Sequence, residues 1–194
     1  VWYPWRKRAL MVLEEAEFKA VRTNRNQRKI RPEEQEKLAG KAVGIVGLSV
    51  GRSIAMALAM ERIVGKLHLA DDDTIELSNL NRMTCSLFEL GMPKWMSTAR
   101  TIAELDPYLE VEVWPEGFRA DVMSDFMEGM DLVVDACDGP QAKAWLRLGA
   151  RDRRLPLLME TNDRGLLDVE RYDWEDTQDF LHGRVTAEQL SELV

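Results

Sequence analysis

From residue 41 to residue 172 the chain repeats one pattern: a short apolar run, then a longer stretch with helical periodicity. KAVGIVG, KLHLAD, LEVEVW, MDLVVDAC and LPLLME are the runs. Residues 51–64, 94–105, 121–128 and 141–151 are the helical stretches, and residues 166–172 read as one further strand. Continuous apolar runs belong to strands covered on both faces, and helices between strands are the crossovers that parallel pairing needs. The pattern predicts an α/β fold: a Rossmann-like, mostly parallel sheet with helices on both faces. In such sheets ligands bind outside the carboxyl ends of the strands, so the residues just after each strand are the candidates for function.

The first 40 residues follow another rule. Residues 5–22 read as an amphipathic helix with Leu10, Leu13, Phe18 and Val21 among charges, residues 23–31 as a linker, and Pro32 opens a short helix that Gly40 ends. Residues 1–31 hold nine Lys or Arg and three Glu, whereas the whole chain carries −8. A basic N-terminal helical arm (1–31) thus precedes an acidic nucleotide-binding domain (32–194). It suits docking on an anion or a neighbouring subunit, or is a solvated helix face. The acidic total argues against general nucleic-acid binding. No signal peptide or membrane-length apolar run is present, which predicts a cytoplasmic protein. The start VWYPW and the end RVTAEQLSELV suggest a piece of a longer chain. Cys85 and Cys137 lie far apart with no CxxC, which argues against structural zinc.

Three places carry chemistry. The first strand runs into Gly47-Leu48-Ser49-Val50-Gly51, a turn that lets backbone amides and a helix N-terminus approach phosphate. Strand two ends in Asp71-Asp72-Asp73, and Asp71 is spaced to accept ribose hydroxyls. So far NAD fits as well as ATP. Asn79, Asn81, Arg82 and Lys94 then supply polar and cationic groups on the ligand side of the sheet. Cleavage of ATP between its α and β phosphates needs such cations. Glu160, Asn162 and Asp163 follow strand five and are candidates for substrate contact. Cys137 reads as core, His68 as structural, and His182 has no visible partner.

GIVGLSVG, LHLADDDTIELSNLNR, LGMPK, ELDPYLEV and DLVVDACDG together resemble the ThiF/MoeB family, the adenylating domains related to ubiquitin-activating enzymes. The resemblance covers about residues 25–172. It implies ATP-dependent adenylation of a carboxylate, with ATP and magnesium as cofactors. Gly47, Ser49, Gly51, Asp71, Asp73 and Asn79 would bind nucleotide. Arg82, Lys94 and Asp138 would act on the phosphates, with magnesium on Asp138. An N-terminal arginine, Arg28 or alternatively Arg25, would reach a partner's site in a homodimer. The substrate would be the C-terminus of a ubiquitin-like carrier protein, a peptide end or a small acid. The spelling GLSVG and the tail METNDRGLLDVERYD resemble ThiF-type domains joined to a nitroreductase-like domain. The glycine turn is one residue shorter than usual, and the family's paired zinc cysteines and a later thioester cysteine are missing. Two rival readings remain: a nicotinamide or flavin-nucleotide domain of an oxidoreductase, and a degenerate ThiF-like binding scaffold.

Overall fold

The computed structural model describes residues 1–160, 165–174 and 179–194. A small hairpin of β1 (Trp2–Tyr3) and β2 (Arg8–Ala9) leads to α1 (Glu15–Thr23), a 3-10 turn (Asn24–Arg28) and α2 (Pro32–Ala39). The α/β body follows as β3 (Ala42–Val46), α3 (Gly51–Glu61), β4 (Lys66–Ala70), α4 (Lys94–Leu105), β5 (Glu110–Trp114), α5 (Met123–Met127), β6 (Leu132–Asp135), α6 (Pro140–Asp152) and β7 (Pro156–Glu160). Then come β8 (Leu167–Arg171) and α7 (Ala187–Ser191). The six-stranded sheet has the order β5-β4-β3-β6-β7-β8, parallel except for β8. The chain builds outward from β3 in one direction and from β6 in the other. The switch point therefore lies between them, and a crevice opens at their carboxyl ends.

Each face of the sheet has its own core. Ile45, Leu67, Leu69 and Val134 pack with Ala55 and Ala59 of α3 and Ile102 of α4. Val46, Val133 and Leu157 pack with Phe126 of α5 and Ala144, Leu146 and Ala150 of α6. The doubly covered parallel sheet read from the apolar runs is what the chain forms.

Two local readings differ, and β8 turns charged side chains inward. The expected helix over 5–22 begins only at Glu15. Tyr3 is buried, its hydroxyl donates to Ala103 O (3.2 Å), and Trp5 Nε1 and Arg6 bind Glu104 of α4. These anchors, with Pro4 and a left-handed Lys7, outweigh the helical periodicity. α3 stops at Arg62, which caps it in the left-handed region at φ 56°, held by an Arg62 Nε–Asp106 Oδ2 ion pair of 2.6 Å. The helix read over residues 51–64 thus ends three residues earlier, at Glu61. In β8 the inward positions are the charged Asp168 and Glu170, while Leu167 and Val169 are exposed. Glu170 can face inward because Arg147 of α6 meets it at 3.0 Å.

Candidate functional site

Gly47 ends β3 at φ +89°, its N–H donating to Ala70 O (2.9 Å), and a Cβ there would strike the Ala136 carbonyl. At Gly51 a Cβ would lie 2.7 Å from Ile45 Cγ2, so α3 can start directly on the sheet only with glycine. No side chain caps the start of α3, and no acid sits in its first turn. α6 likewise starts without a side-chain cap, with Pro140 in its first turn. Both N-termini offer unsatisfied amides and the positive end of the helix dipole.

Asp71 ties this turn to the end of β4. Its Oδ2 accepts from Leu48 N (2.6 Å) and its Oδ1 from Asp73 N (2.9 Å). Burial pushes its carboxyl above the usual carboxylate range, opposed by the Leu48 amide and by Lys94. Lys94 opens α4 almost fully buried, with its Nζ 2.6 Å from Asp73 Oδ2. Arg82 donates from Nε to Ser49 Oγ (2.8 Å) and from Nη1 to Asn81 Oδ1 (2.9 Å). Asp138 stands exposed just beyond β6.

A cleft of about 350 Å³ opens here, lined by Gly47, Ser49, Asp71, Asp73, Lys94 and Asp138 among others. That volume is within the range of small-molecule and cofactor sites. Arg82 reaches the rim through Ser49. The structure therefore gathers most of the predicted residues at one place. Asn79 is not among the lining residues: it is buried, and its Oδ1 accepts from Glu76 N (3.0 Å), tying down the 3-10 turn Leu77–Asn81. Gly51 shapes the cleft floor from within α3 and does not line it. Arg28 and Arg25 sit exposed on the 3-10 turn after α1, away from the lining and without an ion pair among the described residues. Other cations of the arm bind the chain's own carboxylates: Arg6 with Glu104, Arg22 with Asp106, and Lys29 with Glu61. Glu160 ends β7 outside the lining, and Asn162 and Asp163 lie outside the described residues.

The loop after β5 adds Glu116, Gly117, Phe118 and Arg119 to the lining, which the sequence reading had not singled out. Their place after a parallel strand was the available signal. Beneath the cleft lies a buried ion network, also unforeseen. Asp135 of β6 meets Lys143 Nζ and Arg147 Nη1, each at 2.9 Å. Arg147 continues to Glu170, which accepts from the Tyr172 hydroxyl (2.6 Å). Cys137, 3.2 Å from Asp135, has its thiol pushed up by burial and by that carboxylate, which suits core packing rather than nucleophilic attack. His68 is a core residue beside Trp114 and Phe126, with Nδ1 2.6 Å from Phe126 O.

The cleft's charge decides what it can hold. Asp71, Asp72, Asp73, Glu116 and Asp138 line it against the cations Lys94 and Arg119. A polyphosphate entering this field needs a further cation. Among the described residues no cluster of three or more His, Cys, Asp or Glu is placed to hold a metal ion. Magnesium fits this setting, because it takes one or two carboxylates and completes its shell with phosphate oxygens and water. Of the lining carboxylates Asp71, Asp72 and Asp138 make no ion pair among the described residues; Asp71 is taken up by two backbone amides, and Asp72 and Asp138 stand exposed. No described helix is long and apolar enough to cross a membrane.

Comparison with known proteins agrees with this geometry. The chain is 47% identical over 182 residues to an uncharacterized protein of Mycobacterium tuberculosis, covering 94% of this chain and 26% of that one. It is 31% identical over 127 residues to the molybdopterin-synthase adenylyltransferase of Salmonella typhimurium, covering 65% of this chain and 51% of the relative. It thus spans about a quarter of the first relative and about half of the second. The crystal structure of E. coli tRNA N6-threonylcarbamoyladenosine dehydratase in complex with ATP superposes with a TM-score of 0.69 at 27% identity, over 77% of this chain and 61% of that one. Residues 22–161 match the ThiF family, and the chain belongs to it.

Proposed function

We propose that this domain activates a carboxylate by ATP-dependent adenylation, giving an acyl-adenylate and pyrophosphate. The observation that carries the reading is the convergence of the glycine turn, Asp71, Asp73, Lys94 and Asp138 on one cleft beside two uncapped helix N-termini. The triphosphate would lie across the carboxyl ends of β3, β4 and β6. The substrate carboxylate attacks the α-phosphorus, and pyrophosphate leaves with the electron pair of the broken P–O bond. A carboxylate is already ionised, so the step needs no general base. The catalytic work is positioning and charge neutralisation. Lys94, held by Asp73, and Arg82, held by Ser49, would meet the charge that builds on the leaving pyrophosphate. Asp138 would hold magnesium, which supplies further neutralisation of the phosphate oxygens.

The Salmonella relative is by its name an adenylyltransferase of molybdopterin synthase. A carrier-protein C-terminus is accordingly the first substrate class to try, followed by peptide ends and small acids. In a cytoplasmic homodimer, Arg28 or Arg25 of the basic arm would bring positive charge to the neighbour's cleft. A longer chain carrying a nitroreductase-like domain is part of the same proposal. The test is magnesium-dependent pyrophosphate–ATP exchange across these carboxylates. Lys94→Ala should lose about 3–4 kcal/mol of transition-state stabilisation, several hundred-fold in rate. Exchange by Lys94→Ala and Asp138→Ala at the wild-type rate would count against the assigned roles.

A further inference from the structure

His182, without a visible partner in the sequence, has one in the fold. Its Nε2 lies 2.7 Å from Asp168 Oδ1. The Asp168 side chain is 14% exposed and that of His182 52%. Asp168 Oδ2 is buried and makes no hydrogen bond among the described residues. With Nε2–H donating to this sunken carboxylate, the neutral ring keeps its lone pair on Nδ1, which has no hydrogen bond among the described residues. A carboxylate orienting an imidazole is the arrangement of a directed base.

The backbone around it is held against its preference. Leu181 (φ 48°), His182 (φ 55°) and Gly183 (φ 81°) follow one another in the left-handed region. The two non-glycine residues sit there at a steric cost. The turn persists because Leu181 N donates to Glu170 Oε1 (2.7 Å) and Phe180 is buried against Tyr172 under Arg151. Strain that the surroundings over-determine is characteristic of sites of function.

Neither residue lines the cleft, but the dyad stands at the same, carboxyl end of the sheet. Asp135 pairs with Met159, and Met159 with Asp168, so the dyad lies level with Asp135, two strands away. At the usual strand spacing that is about 10 Å. Asp168 and Glu170 share a face of β8, and Glu170 meets Arg147 of α6, as Asp135 does. A continuous buried chain therefore runs from Asp135 through Arg147 and Glu170 to the amide of Leu181.

We propose that His182, oriented by Asp168, is the general base of acyl transfer, a step that rests on the adenylation reading for its acyl-adenylate. The acceptor is a nucleophile bearing O–H or N–H. Its oxygen or nitrogen bonds to the acyl carbon, the bond from that carbon to the AMP oxygen breaks, and AMP departs with the electron pair. The nucleophile's proton passes to His182 Nδ1, and Asp168 stabilises the imidazolium.

The test uses p-nitrophenyl acetate, an activated acyl donor that needs no ATP, with water as acceptor. His182→Gly removes the ring and suits the left-handed backbone, so the variant keeps the fold. Its steady-state esterolysis should fall about a hundredfold, and free imidazole should restore part of it. Asp168→Asn, which keeps the ring, should fall as well. Esterolysis by His182→Gly at the wild-type rate overturns the proposal. His182-dependent esterolysis in a protein that shows no pyrophosphate exchange would support the base and count against adenylation alone.

Discussion

At the scale of single residues, the glycine turn is set by packing before any ligand arrives. Gly47 combines a left-handed φ with a position directly against the Ala136 carbonyl. Gly47→Ala should therefore destabilise the fold by roughly 2–5 kcal/mol, the backbone penalty plus the displacement of β6. Urea unfolding monitored by circular dichroism measures this. A change within 0.5 kcal/mol would mean that the turn has slack. Asp71 shows the same economy: both its oxygens take amides of the chain, and it still borders the cleft. The spacing from Gly47 to Asp71 pointed to ribose, but it carried no sign that the carboxylate also builds the turn. Asn79 was legible only as polar, and whether it met a ligand or tied down a loop depended on the path of the turn Leu77–Asn81. Arg82 and Lys94 were legible through the chemistry of triphosphate cleavage, and each is already held in place by a partner, Ser49 or Asp73.

At the scale of elements, legibility followed how local the determinants are. α4 runs over the predicted residues because Pro93 stands before it and Asp106-Pro107 after it. The N-terminal hairpin was not legible, since its anchor is Glu104, about a hundred residues away. Arg6 and Trp5 hold the Glu104 carboxyl below the usual glutamate range, the Arg6 hydrogen bond contributing most. A depressed folded-state value means that its stabilisation is present above the ordinary glutamate range and is lost as pH falls through the lowered value. Amide protection of residues 2–9 should accordingly weaken on acidification, and Glu104→Gln should remove that dependence. Hydrogen exchange at stepped pH reads both. The inverted faces of β8 are likewise non-local, since Glu170 turns inward to an arginine 23 positions earlier in the chain. Glu170→Ala leaves Arg147 short of a buried partner and should cost about 3–5 kcal/mol. Replacing Arg147, Glu170 and Asp135 together by apolar residues of like volume should cost far less. Thermal unfolding of both variants decides whether the network is a stabiliser or a fixed frame beneath the cleft.

At the scale of the whole molecule, the parallel sheet and its switch point were readable because apolar runs and turn residues report them directly. The destination of the basic arm was not, because several of its cations are spent inside the chain while Arg25 and Arg28 stay exposed without an ion pair among the described residues. If Arg28 completes a neighbour's cleft, Arg28→Ala and Lys94→Ala are each inactive alone. Their mixture would recover about a quarter of wild-type exchange, from the heterodimers that carry one intact site. No recovery on mixing, with Arg28→Ala fully active, would return the arm to a solvated surface. Beneath every functional statement lies the claim that the cleft at the β3–β6 switch point is built for a nucleoside triphosphate with its metal. Calorimetric titration with ATP and with NAD, each with and without magnesium, tests it most directly. A triphosphate site there gives magnesium-dependent ATP binding that weakens in Lys94→Ala and Asp138→Ala, with NAD binding far weaker. Tighter binding of NAD, or ATP binding indifferent to both substitutions, would contradict it.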